Sequence, residues 1–377
     1  MAVLVSASPA HADVWRDRQW HLDFLKVAEI HKITKGRGAI VAVVDTGVDG
    51  NHPDLKGNVL KGIDILAPGA NGWNDPVGHG TAMASLIAGH GHGQGGMDGV
   101  LGVAPEAKVL PIRLIKGGEP TISHDRSGIA ALDRAAYSDA SVINLSALVG
   151  GTISEVETAL AQGKVVVAAA GNSVDESDVI QPANYPGVVA VSGLDRDGNF
   201  TNASVEGPEV VLSAPAVDIA AAGAGSRGRY ATGTGTSSAT ALVSATAALI
   251  KAKYPDLSAN GVINRLIKTA DDKGPPGRDP KYGFGVVNPL KALTADIPDL
   301  DYNPLVGPGK KTKRPQLSAP SSTTAKANPN GDSSLAAVSR ILLPALAITA
   351  AVTVAVAIPT LLIIRRRRSK PGLRRDR

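Results

Sequence analysis

The sequence predicts an α/β fold with a central, mostly parallel sheet, and three observations lead to that prediction. Between residues 20 and 296, short apolar runs rich in β-branched residues alternate with segments of helical periodicity. The apolar runs have no polar side, which is typical of strands covered on both faces of a parallel sheet. Only 3% of the residues are aromatic while glycine and alanine are abundant, so neighbouring elements are expected to pack closely through small side chains.

The predicted elements follow one another as repeated strand–helix units. The predicted strands are residues 38–47, 107–115, 141–148, 164–172, 188–195 and 210–216. The predicted helices are residues 79–91, 127–137, 153–163, 237–255 and 259–271. Active sites of such sheets lie at the carboxyl ends of the strands, so this is where catalytic residues are expected.

The C-terminal part of the chain has the composition of a membrane anchor. Residues 341–364 run for 24 positions without a charge. At 1.5 Å per residue, a helix of that length spans about 36 Å, enough to cross a bilayer core. We therefore predict a single transmembrane helix over residues 340–364. The following tail, residues 365–377, has eight basic and one acidic side chain, which places it in the cytoplasm and the rest of the chain outside.

The remaining segments are assigned from their composition. Residues 1–12, MAVLVSASPAHA, are apolar and end in an Ala-x-Ala pattern, which we interpret as the remnant of a secretory signal. Residues 13–35 form an N-terminal extension. Residues 297–339 are rich in Pro, Ser, Thr and Lys, and they are predicted to be a flexible linker. The expected location is the cell membrane, with one span and an extracytoplasmic domain.

Charge and cysteine content exclude several classes of function. The formal net charge of +5 comes from the linker and the tail, and residues 1–296 are net negative. A basic face for nucleic acid is therefore not expected on the domain. The chain has 0 cysteines, which excludes disulfide scaffolds, thiolate metal sites, iron–sulfur clusters and cysteine nucleophiles.

Three polar residues lie at positions that the predicted sheet would bring close to one another. Asp45 ends an apolar strand, His79 begins a predicted helix, and Ser237 enters another helix after the glycine-rich loop 222–235. A serine hydroxyl becomes a good nucleophile when an imidazole takes its proton, and the imidazole needs a carboxylate to hold its tautomer. The helix N-terminus at Ser237 and the side-chain amide of Asn172 are candidates for stabilising the resulting oxyanion.

Each residue taken alone also fits a turn or a helix cap, and only the three together predict a hydrolase. The eight histidines all precede Ser237, whereas an α/β-hydrolase has its histidine after the serine, so that class is excluded. An aspartic protease needs a second Asp-Thr-Gly or Asp-Ser-Gly, and the chain has none. His90 and His92, in GHGHGQGG, are interpreted as a polar surface loop in preference to a metal site.

Several motifs in register resemble those of the subtilisin-like serine protease family. They are VAVVDTGVDGNHPDL, GHGTAMASLIAG, VLGVAP, AAAGNS and GTSSATALVSATAAL, and the similarity covers residues 36–295. The resemblance implies a subtilisin-like three-layer fold, with a catalytic domain over residues 36–296. It also implies that the protein is a serine endopeptidase that cleaves peptide bonds through an acyl-enzyme.

The same resemblance assigns roles to individual residues. Asp45 orients the imidazole, His79 is the general acid and base, and Ser237 is the nucleophile. Ser146 and Gly171 are implied to bind substrate, since the strand near Ser146 would pair with an extended peptide. No cofactor is implied, and structural calcium is left open because no Asp-rich loop identifies its ligands.

The N-terminal extension, the Pro-rich linker and the single C-terminal span resemble those of the mycosins, membrane-anchored proteases of type VII secretion systems. This narrower resemblance implies protein or peptide substrates and the membrane components of the secretion channel as partners. Two positions depart from the family pattern, because Ala241 replaces a usual proline and Leu148 a usual glycine. They leave open an alternative, a subtilisin-fold scaffold that stabilises the secretion complex with weak or dispensable proteolysis.

Overall fold

The structure, a computed structural model, describes residues 13–116, 126–147, 153–174, 176–224 and 229–309. The predicted signal remnant (1–12), the transmembrane helix (340–364) and the basic tail (365–377) lie outside these residues, as does the linker from residue 310 onward. No helix within the described ranges is long and apolar enough to cross a membrane.

Strands and helices alternate through the domain as the sequence predicts. The strands are β1 (Ile40–Asp45), β2 (Ile63–Asp64), β3 (His90–His92), β4 (Asp98–Leu101), β5 (Lys108–Arg113), β6 (Val142–Leu145), β7 (Val165–Ala169), β8 (Val189–Leu194), β9 (Val210–Pro215), β10 (Ile219–Ala222) and β11 (Tyr230–Gly233). The helices are α1 (Val14–Asp17), α2 (Trp20–Phe24), α3 (Val27–Ile30), α4 (His79–Ala88), α5 (Arg126–Ala136), α6 (Ile153–Ala161), α7 (Thr236–Lys253), α8 (Ala259–Lys268) and α9 (Pro289–Thr294). Every predicted strand and helix is present, with its bounds inside or within one residue of the predicted range.

The larger sheet confirms the predicted parallel arrangement. Its strand order is β2-β5-β1-β6-β7-β8-β9, and each neighbouring pair is parallel. The chain passes from β1 through α4 to β5, and then returns through α5 to β6 on the other side of β1. Because such crossovers are right-handed, this reversal places α4 on one face and α5 and α6 on the other. It also opens a crevice at the carboxyl ends of β1 and β6.

Helix α7 lies at the centre of the domain, against α4 and against strands β6 to β9. From Thr236 to Ile250 its side chains are buried, with the exception of Ser237. Small Ala, Ser and Thr side chains let the sheet and α4 approach the helix closely. The helix is continuous through Ala241, which is fully buried.

Two antiparallel hairpins occupy segments that the sequence assigns to loops. Strands β3 and β4 pair within GHGHGQGGMDGVL, and β10 pairs with β11 around the glycine-rich loop. Both hairpins are rich in glycine, whose missing side chain removes the alternating apolar pattern that would reveal a strand. GHGHGQGG and the glycine-rich loop 222–235 thus contain residues of short strands that the sequence analysis did not predict.

The N-terminal extension packs on the domain through polar contacts as well as apolar ones. The side-chain amide of Gln19 donates to the carbonyl of Leu101 at 3.0 Å, and its oxygen accepts from the N–H of Leu101 at 2.7 Å. The indole N–H of Trp20 donates to the carbonyl of Val217 at 3.0 Å. These bonds tie helix α2 and the residue before it to β4 and to the segment that leads into β10.

The folded part extends beyond the predicted boundary at residue 296. The carboxylate of Asp299 accepts hydrogen bonds from the N–H and hydroxyl of Ser258, the residue that caps α8. The amide of Asn303 donates to the carbonyl of Gly187 at 3.1 Å. Polar residues at the start of the predicted linker thus bond to the domain, although this segment carries no hydrophobic period.

We expect acid to destabilise the protein through His21, which is fully buried in α2. Neither of its ring nitrogens has a hydrogen-bond partner among the described residues, and burial lowers its pKa from 6.5 to about 3. Between pH 6.5 and about pH 3, the His21 side chain therefore binds a proton in the unfolded chain but not in the folded chain. The free energy of unfolding therefore decreases as the pH is lowered, by about 2 kcal/mol between pH 7.5 and pH 5.

Urea unfolding of the wild type and of His21→Leu at pH 7.5, 6 and 5 tests this expectation. The variant should lose about 2 kcal/mol less than the wild type over the same pH range. Equal losses in the two proteins would show that His21 does not carry the acid sensitivity.

Candidate active site

Asp45 ends β1 with a completely buried carboxylate. One of its oxygens accepts the N–H of Thr46 at 2.7 Å. Both oxygens lie close to Nδ1 of His79, at 2.8 and 2.9 Å. Because a carboxylate only accepts hydrogen bonds, Nδ1 carries the proton, and Nε2 of the neutral imidazole is then the nitrogen that can take one up.

The start of α4 is held against the end of β1 by a close backbone approach. The N–H of Gly80 donates to the hydroxyl of Thr46 at 3.0 Å. A Cβ on Gly80 would lie 2.0 Å from the carbonyl oxygen of Gly47, so a larger residue would push the helix away. The glycine after His79 thus sets the distance between the imidazole and Asp45.

Asp75 is a site residue that the sequence analysis missed. Its carboxylate is buried and one oxygen accepts from the hydroxyl of Thr46 at 2.8 Å and from the N–H of Gly78 at 2.7 Å. The other oxygen accepts the N–H and the hydroxyl of Thr81, at 2.8 and 2.6 Å. The charge also lies beside the first turn of α4, where the helix dipole favours it. Asp75 therefore fixes the loop that precedes His79 and positions its side chain.

Ser237 lies in the first turn of α7, where its hydroxyl donates to the backbone carbonyl of Ser146 at 2.7 Å. In return, the hydroxyl of Ser146 donates to the carbonyl of Ser237 at 2.9 Å. The amide of buried Asn144 donates to that same Ser146 hydroxyl, and its oxygen accepts the hydroxyl of Ser244. This network joins the carboxyl end of β6 to α7 beneath the nucleophile candidate.

The side-chain oxygen of Asn172 accepts the N–H of Thr236 at 3.0 Å and its hydroxyl at 3.2 Å. These two bonds fix the orientation of the amide, so its NH₂ group faces away from Thr236 and is available as a donor. Gly171, one residue earlier, has a φ of +120° and its carbonyl accepts the N–H of Val205 at 3.1 Å. The loop after β7 is thus held by hydrogen bonds from Thr236, at the start of α7, and from Val205.

One cavity of about 390 Å³ brings the candidates together. His79, Asn172 and Ser237 all contribute to its wall, and Asp45 lies behind His79. Ser146 and Gly171 are outside the lining, on the side of strands β6 and β7. The polar residues that end β1, follow β7 and begin α4 and α7 therefore lie close together.

The arrangement has the components that acyl transfer needs. The Asp45–His79 pair can accept a proton and hold the resulting charge, Ser237 supplies a hydroxyl, and Asn172 supplies a donor. The N-terminus of α7 adds a positive dipole end where an oxyanion would form. Fold and site together define the class of serine hydrolases built on a parallel sheet.

Comparison with known proteins assigns the chain to its family. The model described as the subtilase family matches residues 36–285. The chain belongs to the subtilase family, and it is a subtilisin-like serine endopeptidase.

Among its relatives are mycosins. Mycosin-1 of Mycobacterium tuberculosis is 33% identical over 361 residues, covering 78% of this chain and 79% of that protein. Mycosin-1 of Mycolicibacterium smegmatis is 32% identical over 339 residues, covering 75% and 74%. The crystal structure of MycP1 from Mycobacterium smegmatis superposes with a TM-score of 0.64 at 29% identity, covering 80% of this chain and 90% of the other. The protein is therefore a subtilisin-like protease related to the mycosins of type VII secretion.

Within the described ranges, no three His, Asp, Glu or Cys side chains come close enough together to hold an ion. Of the two histidines in GHGHGQGG, His92 bonds through Nδ1 to the buried carboxylate of Asp54 at 2.6 Å. The other oxygen of Asp54 accepts the N–H of Val100, so this carboxylate is already satisfied by protein donors.

Proposed function

We propose that Asp45, His79 and Ser237 form the catalytic triad of this endopeptidase and that Asn172 donates to the oxyanion. The observation that carries the proposal is the 2.8 Å hydrogen bond from His79 to the buried carboxylate of Asp45, because His79 lines the same cavity as Ser237 and Asn172. A carboxylate–imidazole pair with this geometry raises the basicity of Nε2 at the position where a proton has to be taken up.

Acylation begins when Ser237 rotates its hydroxyl from the carbonyl of Ser146 towards His79. Nε2 of His79 takes the hydroxyl proton as Oγ attacks the carbonyl carbon of the scissile bond. Asp45 stabilises the imidazolium without accepting its proton. The imidazolium then gives that proton to the leaving amine, the C–N bond breaks, and an ester to Ser237 remains.

Hydrogen-bond donors that are already in position stabilise the negative charge that develops on the carbonyl oxygen. The NH₂ group of Asn172 and the backbone N–H of Ser237 are the two proposed donors, with the α7 dipole behind them. Deacylation repeats the cycle with water in place of the amine. His79 takes a proton from the water, and Ser237 regains its own.

We assign substrate binding on the acyl side to the strand ends at Ser146 and Gly171. Both lie at carboxyl ends of neighbouring parallel strands, β6 and β7, beside the nucleophile. An extended peptide can add there as a further strand through main-chain hydrogen bonds. The buried hydroxyl of Ser146 takes part through Ser237, whose carbonyl it holds, so Ser146 is also a positioning residue.

The proposed site of action is the outer side of the cell membrane, at a type VII secretion system. One structure that this chain resembles, with a TM-score of 0.62 at 32% identity, is described as a serine protease that is an essential component of such a system. The uncharged run in residues 340–364 and the basic residues after it support an anchor with a cytoplasmic tail. Membrane components of the channel and exported proteins are then the partners. Fractionation of cells that express the full chain, or the chain ending at residue 339, tests the anchor.

A fluorophosphonate probe tests the triad directly. The purified full-length chain should be labelled at Ser237 alone, because the probe needs a serine made nucleophilic by its neighbours. Ser237→Ala should not be labelled. A folded wild-type chain that takes no label would overturn the proposal and favour the scaffold alternative.

Asn172→Leu is expected to lower kcat by about 10²–10³-fold while KM changes little, the size known for the equivalent substitution in subtilisin. The reason is that the amide bonds to charge present only in the transition state. Steady-state kinetics on a peptide substrate measure both constants. A rise in KM with unchanged kcat would show that Asn172 binds substrate and does not stabilise the oxyanion.

A further inference from the structure

The backbone groups of Asn172 point away from the chain segment that lies beside it. Asn172 forms an isolated antiparallel bridge with Ser204, and the two hydrogen bonds of this bridge, both 3.1 Å long, are made by the flanking residues Gly171 and Ser173. In an antiparallel pair of this kind, the N–H and the carbonyl of the bridged residue itself face the opposite side. The backbone of the proposed oxyanion donor therefore needs its partners on that opposite side.

Glu176 supplies both of these partners. Its carboxylate oxygen Oε2 accepts the N–H of Asn172 at 2.9 Å. Its own backbone N–H donates to the carbonyl of Asn172 at 3.0 Å. Because the acceptor of the first bond is ionised, that bond is stronger than one between neutral groups. A single residue thus holds Asn172 at both ends of its backbone.

The residue before Asn172 leaves room for the carboxylate of Glu176. A Cβ on Gly171 would lie 3.3 Å from Oε2 of Glu176, which is tighter than an ordinary contact. The φ of +120° at Gly171 would also strain a residue with a side chain. Glycine at this position therefore lets the carboxylate reach the N–H of the next residue.

The side chain of Asn172 is fixed by a different element. Its Oδ1 accepts the N–H and the hydroxyl of Thr236, at the start of α7. Glu176 fixes the backbone and Thr236 fixes the amide oxygen, so the NH₂ group keeps one direction. Electrostatic stabilisation of a transition state requires such a donor to be in position before the charge develops.

We propose that Glu176 is a positioning residue for catalysis, which holds the backbone of Asn172 so that its NH₂ group is aimed at the oxyanion. In this role Glu176 acts through Asn172 and not on the substrate. The inference rests on the proposed function, because it requires Asn172 to be the oxyanion donor.

Steady-state kinetics of the purified full-length chain on a peptide substrate test this role. Glu176→Ala is expected to lower kcat by about tenfold and to change KM by less than about twofold, because a displaced donor weakens a bond to charge that exists only in the transition state. Glu176→Gln keeps an acceptor oxygen for the N–H of Asn172 and should bring kcat back to within about threefold of the wild type. Asp178→Ala is the matched control, since it removes an exposed carboxylate from the same loop and should leave kcat unchanged.

A double-mutant cycle separates positioning from a purely structural role. Asn172→Leu removes the amide but keeps the backbone N–H and carbonyl to which Glu176 bonds. If Glu176 acts through the amide, adding Glu176→Ala to Asn172→Leu should lower kcat by less than about twofold. If Glu176 only stabilises the loop, the substitution should lower kcat by the same factor in both backgrounds, and the inference would be overturned.

The outcomes distinguish failure of this inference from failure of the proposed function. An unchanged kcat in Asn172→Leu would overturn the assignment of Asn172 as oxyanion donor. A lower kcat in Asn172→Leu together with an unchanged kcat in Glu176→Ala would overturn only the role of Glu176. Urea unfolding shows that each assayed variant is folded. If Glu176→Ala does not fold, Glu176→Asp, whose carboxylate is one methylene further from the N–H of Asn172, takes its place in the same cycle.

Discussion

Replacing Ser237 by alanine is expected to abolish peptide cleavage while the unfolding temperature stays nearly the same. The expected loss in kcat is about 10⁶-fold, the size that removal of the nucleophile has in subtilisin itself. The fold should tolerate the change because the hydroxyl makes one hydrogen bond, to the carbonyl of Ser146, at the edge of an open cavity. The bond from the Ser146 hydroxyl to the backbone of residue 237 does not depend on the side chain.

Kinetics on an internally quenched peptide measure the loss of cleavage, and a thermal melt measures the unfolding temperature. Ser177→Ala is the matched control, since it removes an exposed hydroxyl whose partner is the neighbouring Asp178. Cleavage that persists in Ser237→Ala after removal of contaminating protease would mean that another residue is the nucleophile. A large fall in the unfolding temperature would mean that the loss of activity reports unfolding.

The site residues that could be predicted from the sequence are those that stand next to a recognisable element boundary. Asp45 follows an apolar strand, and His79 and Ser237 each begin a helix of small residues, so their neighbours along the chain reveal them. Asp75 has no such context, because it lies in an irregular segment without hydrophobic period. Its importance comes from donors at the end of β1 and at the start of α4, two segments that only the folded chain brings together.

The same distinction holds for the fold. The strands of the parallel sheet are continuous apolar runs, such as Val41–Val44, and their sequence predicts them directly. Half of the residues in the β10–β11 strands are alanines, and the hairpin packs against α4 and α1, contacts that the sequence does not reveal. Residues 297–309 contact the domain through separate polar groups and through Leu305, and such isolated contacts leave no pattern in the composition.

Asp75→Ala is expected to destabilise the protein by about 3–5 kcal/mol, because it leaves several buried donors without an acceptor. The N–H groups of Gly78 and Thr81 and the hydroxyls of Thr46 and Thr81 all lose their partner. We also expect kcat/KM to fall by about 10²-fold at a temperature where the variant is folded. The reason is that the loop before His79 is no longer fixed against the end of β1.

Urea unfolding and peptide kinetics separate these two effects, with Asp178→Ala as the control for an exposed carboxylate. Asp75→Asn keeps one acceptor oxygen but turns the other into a donor that faces donors, so it should recover only part of the stability. If Asp75 positions His79, the rate of fluorophosphonate labelling should fall together with kcat/KM in both variants, because both need an oriented imidazole. A labelling rate equal to that of the wild type in folded Asp75→Ala would show that the Asp45–His79 pair holds its own geometry, and Asp75 would then serve stability alone.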